Sequence, residues 1–282
     1  MLDVALLRRR FAILILPSYL ALTASLMKCY KNMAEILTDD AIILHVKPYQ
    51  TADKYVECFT RQYGKVRFIA YGARYAKNMN GRILQPFFEL HVEVQQGSRI
   101  DKLRTAELVQ LPQNLDMLQM AYAAVATELV CVLTEDREPQ EELYDLLQLT
   151  LKQIKERNPR IVVLAFAIKL LQLAGIAPQL EACVSCGSVI AQEEEAWFSA
   201  LHGGTVCNDC HHKQPDGGYE HCGSGTRELW RSLLFLNMEK PERFTIKGGD
   251  LMELERMLFR FIFFQTDKEL NSLKFLAQLQ LK

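Results

Sequence analysis

Two cysteine pairs constrain this chain more than any other feature. Cys183 and Cys186, followed by Cys207 and Cys210, form a C-x₂-C-x₂₀-C-x₂-C pattern. Two residues between cysteines let both sulfurs reach one ion, and a distant second pair closes a tetrahedral four-thiolate shell. The pattern predicts one structural Zn²⁺ per chain, because four protein ligands leave no position for a catalytic water. Gly187 can take a positive φ, which lets backbone N–H groups point at the thiolates. The second pair lacks such a glycine and is followed by His211 and His212, of which His211 is the one alternative ligand, in place of Cys210. The bland alternative is a metal-free loop with leftover thiols. Cys29, Cys58, Cys131 and Cys222 are scattered singly, which suits a reducing cytosol better than a disulfide framework.

A chain of 282 residues has room for two or three domains. Its N-terminus conflicts with a cytosolic reading, because Arg8, Arg9 and Arg10 precede an apolar run from Phe11 to Met27. A signal peptide or weak membrane anchor is one explanation. Pro17 divides the run into pieces too short for a hydrocarbon core of about 30 Å. The favoured expectation is that residues 1–32 are an extension upstream of a working start at Met33.

Residues 38–110 alternate as strands: Thr38–Lys47 ending at Pro48, Tyr55–Thr60, Lys65–Tyr71, Phe87–Val94 and Arg104–Leu111. Five strands in so short a stretch predict a small barrel. From Asn114 the period becomes helical. Ile161–Leu173 is apolar almost all round and reads as a buried central helix stopped by Gly175. Helices resume near Thr226, Asp250 and Leu270, with Asp250 and Glu253 spaced as a capping box. The fold class is α+β: a barrel over 33–112, then a helical domain over 113–282 with a cysteine finger inserted at 181–215.

The formal net charge is −1, so any nucleic-acid binding must come from a local patch. One exists. Arg61, Lys65, Arg67, Arg74, Lys77 and Arg82 share a stretch without Asp or Glu, interleaved with Tyr63, Phe68, Tyr71 and Tyr75. Cations for phosphates beside aromatic faces for bases suit single-strand binding. The bland reading is a solvated strand edge whose aromatics are core. Asn78, Asn80 and Gly81 suggest a mobile loop. Farther on, Arg157 and Arg160 beside Phe166, with Lys152 and Lys155, suit an acidic peptide with an apolar tip.

Enzymatic readings fail on context. His91-Val92-Glu93 matches the H-x-E of zinc deaminases, but it lies in a predicted strand far from Cys183, and no proline precedes that cysteine. No phosphate-cradling G-x-x-x-x-G-K-[ST], dinucleotide G-x-G-x-x-G or G-x-S-x-G elbow occurs.

The motifs T-D-x-A-I-I-L at Thr38–Leu44, P-Y-x-x-A-D-K at Pro48–Lys54 and F-T-R-x-x-G-K-V-R at Phe59–Arg67 occur in order. They continue into Y-G-A-R at Tyr71–Arg74, L-x-P-F at Leu84–Phe87 and S-L-K-F-L at Ser272–Leu276. From Thr38 onward the chain resembles the RecO family of bacterial DNA repair proteins, whose members start close to the equivalent of Met33. The resemblance implies an oligonucleotide-binding (OB) barrel, a helical domain and a zinc finger at Cys183, Cys186, Cys207 and Cys210. It matches Lys65, Arg67, Arg74 and Lys77 to the barrel's basic motif. It implies a cytoplasmic, nucleoid-associated, non-enzymatic mediator that binds single- and double-stranded DNA and anneals complementary strands. With RecR, such a mediator loads RecA onto DNA coated by the single-stranded DNA-binding protein SSB; RecF is a further candidate partner. The acidic SSB tail is the implied ligand of the helical domain. The competing class is a zinc-ribbon interaction adaptor with weak DNA contact.

Overall fold

A computed structural model describes residues 35–110, 114–214, 217–240 and 246–280. The expectation about residues 1–32 lies outside them. Strands β1 (Ile36–Tyr49), β2 (Asp53–Thr60), β3 (Gly64–Ala70), β4 (Glu89–Gln95) and β5 (Asp101–Leu108) close into a barrel in the order β1-β2-β3-β5-β4. The β3–β5 pair is parallel and the others antiparallel, giving a five-stranded OB-like barrel. β1 is longer than its sequence suggested. It is irregular between Ile43 and His45, and Pro48 pairs opposite Lys54 near its end, a place where a residue without an N–H is tolerated.

Alternation along β1 puts Leu37, Ala41 and Ile43 inside the barrel with Val56, Phe68, Leu90 and Val92. Ile42 and Leu44, with Phe59 of β2, face outward into the core of the helical domain. A strand that is apolar on both faces is thereby buried on both.

The helical domain comprises α2 (Met117–Leu133), α3 (Glu141–Glu156), α4 (Pro159–Leu173), α6 (Ser224–Phe235), α7 (Gly248–Thr266) and α8 (Asn271–Gln280); α1 (Met79–Ile83) belongs to the barrel and α5 (Asn208–Lys213) to the finger. α4 is the central helix, entered through the Asn158 cap with Pro159 in the first turn. Between α4 and α6 lies the finger, whose sheet is ordered β7 (Gly204–Val206), β6 (Ala196–Ser199), β8 (Glu220–Cys222).

Two local readings change. Glu253 does not serve a capping box on α7. Its carboxylate accepts from the Gly223 N–H at 2.7 Å and the Thr226 hydroxyl at 2.8 Å, while Lys247 occupies the α7 cap without a side-chain bond. Asn78 caps α1, which holds Asn80 and Gly81 in place where a mobile loop was expected. Asn78 Oδ1 accepts from the Gly81 N–H, and Lys54 Nζ donates to the carbonyls of Gly81 and Leu84 at 2.7 and 3.0 Å. A Cβ on Gly81 would meet the Ala73 carbonyl oxygen at 1.8 Å, so the turn closes only around glycine.

Candidate nucleic-acid interface and cysteine cluster

The basic stretch divides at the end of β3. Its first half faces the helical domain. The connection between α2 and α3 docks along β3: the Arg137 N–H donates to the Lys65 carbonyl at 3.0 Å, and Arg137 pairs with Asp101. Gly64, at φ +67°, passes so close that a Cβ would lie 2.0 Å from the Glu138 carbonyl oxygen.

Three predicted DNA contacts find partners within the protein here. Lys65 is only 4% exposed, and its ammonium donates to the carbonyls of Cys131 and Thr134, with Asp136 at 3.6 Å. It cannot present charge to a phosphate. Arg67 pairs with Glu57 at 2.8 Å and with Asp136. Burial would lower its pKa, but Asp136 and Glu57 outweigh that and raise it. Arg61 pairs with Asp145, whose hydrogen bond raises its pKa, and stacks 4.8 Å over the Tyr144 ring. Phe68 is barrel core.

The second half faces solvent. Tyr71 is 53% and Tyr75 66% exposed. Arg74 reaches the Thr51 carbonyl at 3.0 Å and Arg82 the Ala76 carbonyl at 2.9 Å, while Lys77 is exposed. Among the described residues these three form no ion pair with a carboxylate. β5 lies beside β3 and adds cations that the sequence reading missed. Lys102 Nζ sits 5.8 Å over the Tyr71 ring, and Arg104, two residues on, is exposed. The available signal was period-2 spacing: Lys102 and Arg104 share one face of a strand. Without the β3–β5 pairing nothing tied them to Tyr71.

In the finger, the sulfurs of Cys183, Cys186, Cys207 and Cys210 lie within 4.8 Å of one another, and Cys186 and Cys207 are 3.8 Å apart. Tetrahedral Zn–S bonds of about 2.3 Å give S–S edges of about 3.8 Å, so the donor set fits such an ion. Four thiolates this close can bind a metal ion, whose charge offsets their mutual repulsion. Gly187 adopts φ +75°. Burial pushes the Cys183 thiol up, but backbone hydrogen bonds from Cys207, Cys186 and Ser185 outweigh it and hold the group below the usual thiol pKa. Hydrogen bonds from Ser188 bring Cys186 down to about 6. Cys207 caps α5, and His211 stacks on Trp197 with centroids 3.7 Å apart, so His211 serves the finger's packing and lies outside the thiol cluster.

In the helical domain, Phe166 is wholly buried and offers no surface to a partner. An all-round apolar helix at the centre of a core has no exposed face to spare. Arg160 pairs with Glu255, and Arg157 donates to the Glu239 carbonyl at 3.3 Å. Glu239 belongs to a groove lined by Leu146, Leu149, Leu173 and Leu236, with Lys169 and Glu142 on its walls, so Arg157 touches a lining residue without lining the groove itself. No helix among the described residues is long and apolar enough to cross a membrane.

Comparison with known families gives matches over both domains. Residues 33–112 match the family described as Recombination protein O N terminal, and residues 114–274 match Recombination protein O C terminal. The chain is 33% identical over 246 residues to the DNA repair protein RecO of Symbiobacterium thermophilum, covering 86% of this chain and 96% of that one. It is 31% identical over 243 residues to the protein of that name from Shouchella clausii, covering 85% and 93%.

Proposed function

The chain belongs to the RecO family of DNA repair proteins, and from that premise we propose that it is a non-enzymatic recombination mediator that anneals complementary strands on its barrel. The observation that carries this reading is the open rim of Tyr71, Arg74, Tyr75, Lys77 and Arg82, extended by Lys102 and Arg104. Its cations hold backbone phosphates, and its two tyrosines meet unpaired bases. Two strands on one neutralised surface repel each other less and pair faster, with no need for nucleotide hydrolysis. With about five cations engaged, log affinity for single strands falls against log salt with a slope of roughly −3.5.

The four cysteines hold one Zn²⁺, which when bound clamps the finger as a closed structural site. Trp197, His211 and Tyr219 pack around the second cysteine pair. In the helical domain, the apolar groove with Lys169 on its wall and Arg157 nearby takes an acidic, apolar-tipped segment such as the tail of SSB. RecR joins the DNA-bound barrel, and together they pass SSB-coated strands to RecA.

The test is an annealing assay with complementary oligonucleotides coated by SSB, with and without Mg-ATP. Annealing without ATP that collapses in Arg74→Glu/Lys77→Glu supports the reading. Annealing indifferent to both substitutions would favour an adaptor that merely recruits partners.

A further inference from the structure

At the junction of the barrel with α2 and α3 lies a cleft of about 400 Å³. Phe87 and Met120 wall it. Its floor is the carboxylate of Glu89, only 7% exposed, which accepts from Gln148 Nε2 at 2.5 Å, Gln110 Nε2 at 2.7 Å and the Tyr144 hydroxyl at 3.0 Å. Exposed Lys152 stands at its edge.

These features select a ligand. An ionised carboxylate accepts about four hydrogen bonds and donates none; three are filled here, and the amides that donate to it leave their own carbonyl oxygens as further acceptors. The floor therefore suits a group that brings N–H donors. A carboxylate-tipped peptide would meet like charge at Glu89, and a purely apolar tip would bury Glu89's remaining acceptor site without a partner. A lysine or arginine from a protein partner would have to pass the like charge of Lys152. An anion outside and a flat donor-bearing ring inside describe a nucleotide: phosphate at Lys152, base against Phe87 with its N–H edge on Glu89. Chain proximity links the cleft to the rim: Gln85, which lines the cleft, follows Arg82 by three residues, and its Nε2 lies 3.5 Å from the Arg82 carbonyl.

We propose that this interdomain cleft receives one unstacked nucleobase from the strand held on the rim. The inference rests on the barrel's binding DNA. Its role in annealing would be to keep one nucleotide out of the stack, so that the bound strand is held extended for its complement.

The experiment uses the full chain and a single-stranded oligonucleotide carrying 5-iodouracil, cross-linked by near-ultraviolet light and mapped by peptide mass spectrometry. An adduct on Phe87 or Phe88 is expected, beside adducts on Tyr71 or Tyr75. Lys152→Glu, which reverses the charge at the edge, and Met120→Trp, which fills the cleft from its exposed side, each lower the Phe87/Phe88 adduct about tenfold, the worth of one base stack. The tyrosine adducts persist in both variants. Adducts confined to the tyrosines, or a Phe87/Phe88 adduct unchanged by both substitutions, would overturn the cleft assignment while leaving the rim intact. Loss of every adduct, with no strand bound, would sink the rim as well.

Discussion

The two halves of the basic stretch are near twins in composition and opposites in situation. Arg61, Lys65 and Arg67 share their stretch with Tyr63 and Phe68, much as Arg74, Lys77 and Arg82 share theirs with Tyr71 and Tyr75. The first three close a seam against Asp136, Asp145, Glu57 and the carbonyls at the end of α2. The second three, on a loop and the short α1, keep their charge toward solvent. Counting cations along a sequence therefore measures an upper bound on the field. What reaches a ligand is the part not already neutralised by acids that the fold brings in from elsewhere. The same charges serve stability in one half and, on the proposed reading, recognition in the other.

The contrast can be broken in order of expected effect. Lys65→Met removes a buried cation and leaves the Cys131 and Thr134 carbonyls without a partner, so we expect a loss of about 2–4 kcal/mol of stability in denaturant unfolding. Affinity for DNA per folded molecule should change little. A large affinity loss at unchanged stability would mean that Lys65 acts on DNA after all. Cys183→Ser, or a chelator that strips any metal the four thiols hold, should lower the melting temperature and solubility while sparing the barrel, because the finger's own small core is built around two of these cysteines, Cys183 and Cys207. Abolished DNA binding with unchanged melting would make the finger a DNA reader.

Arg74→Glu/Lys77→Glu inverts the pattern seen for Lys65. Melting stays put, while single-strand affinity at moderate salt falls by about tenfold or more and the salt slope shallows by roughly 1.4. Arg67→Gln should cost only about 0.5–1 kcal/mol, since its pairs are partly exposed, and should leave the slope unaltered.

The smallest effect is on pH. It arises at the finger's seat. His221 bridges Glu195 at 2.9 Å and Glu253 at 3.1 Å, and its hydrogen bond to Glu253 raises its pKa. A folded pKa above the unfolded value means that this stabilisation is complete below about pH 6.5 and fades as pH rises through the folded value. Protection of the β8 amides, corrected for the intrinsic rise of exchange with pH, should therefore fall between mildly acid and mildly alkaline pH, while protection in β3 shows no matching change. His221→Gln should flatten that difference.

The cysteine spacing, the strand-then-helix change of period and the all-round apolar α4 were decided by local sequence, since each depends on residues close along the chain. The family motifs were legible for the same reason. Which cations stay free was decided elsewhere. Asp136 and Asp145 lie some seventy to eighty residues from Lys65 and Arg61, and Lys102 reaches Tyr71 only because β3 pairs with β5. Glu253, spaced as a cap, was recruited by α6 and the finger, and Phe166 was drawn into the core. Sequence by itself set the elements and the four thiols that can share one ion, because chelation and periodicity act over a few residues. Tertiary structure alone set the exposed charge and the Glu89 cleft, because neutralisation and burial depend on neighbours that only the closed fold supplies.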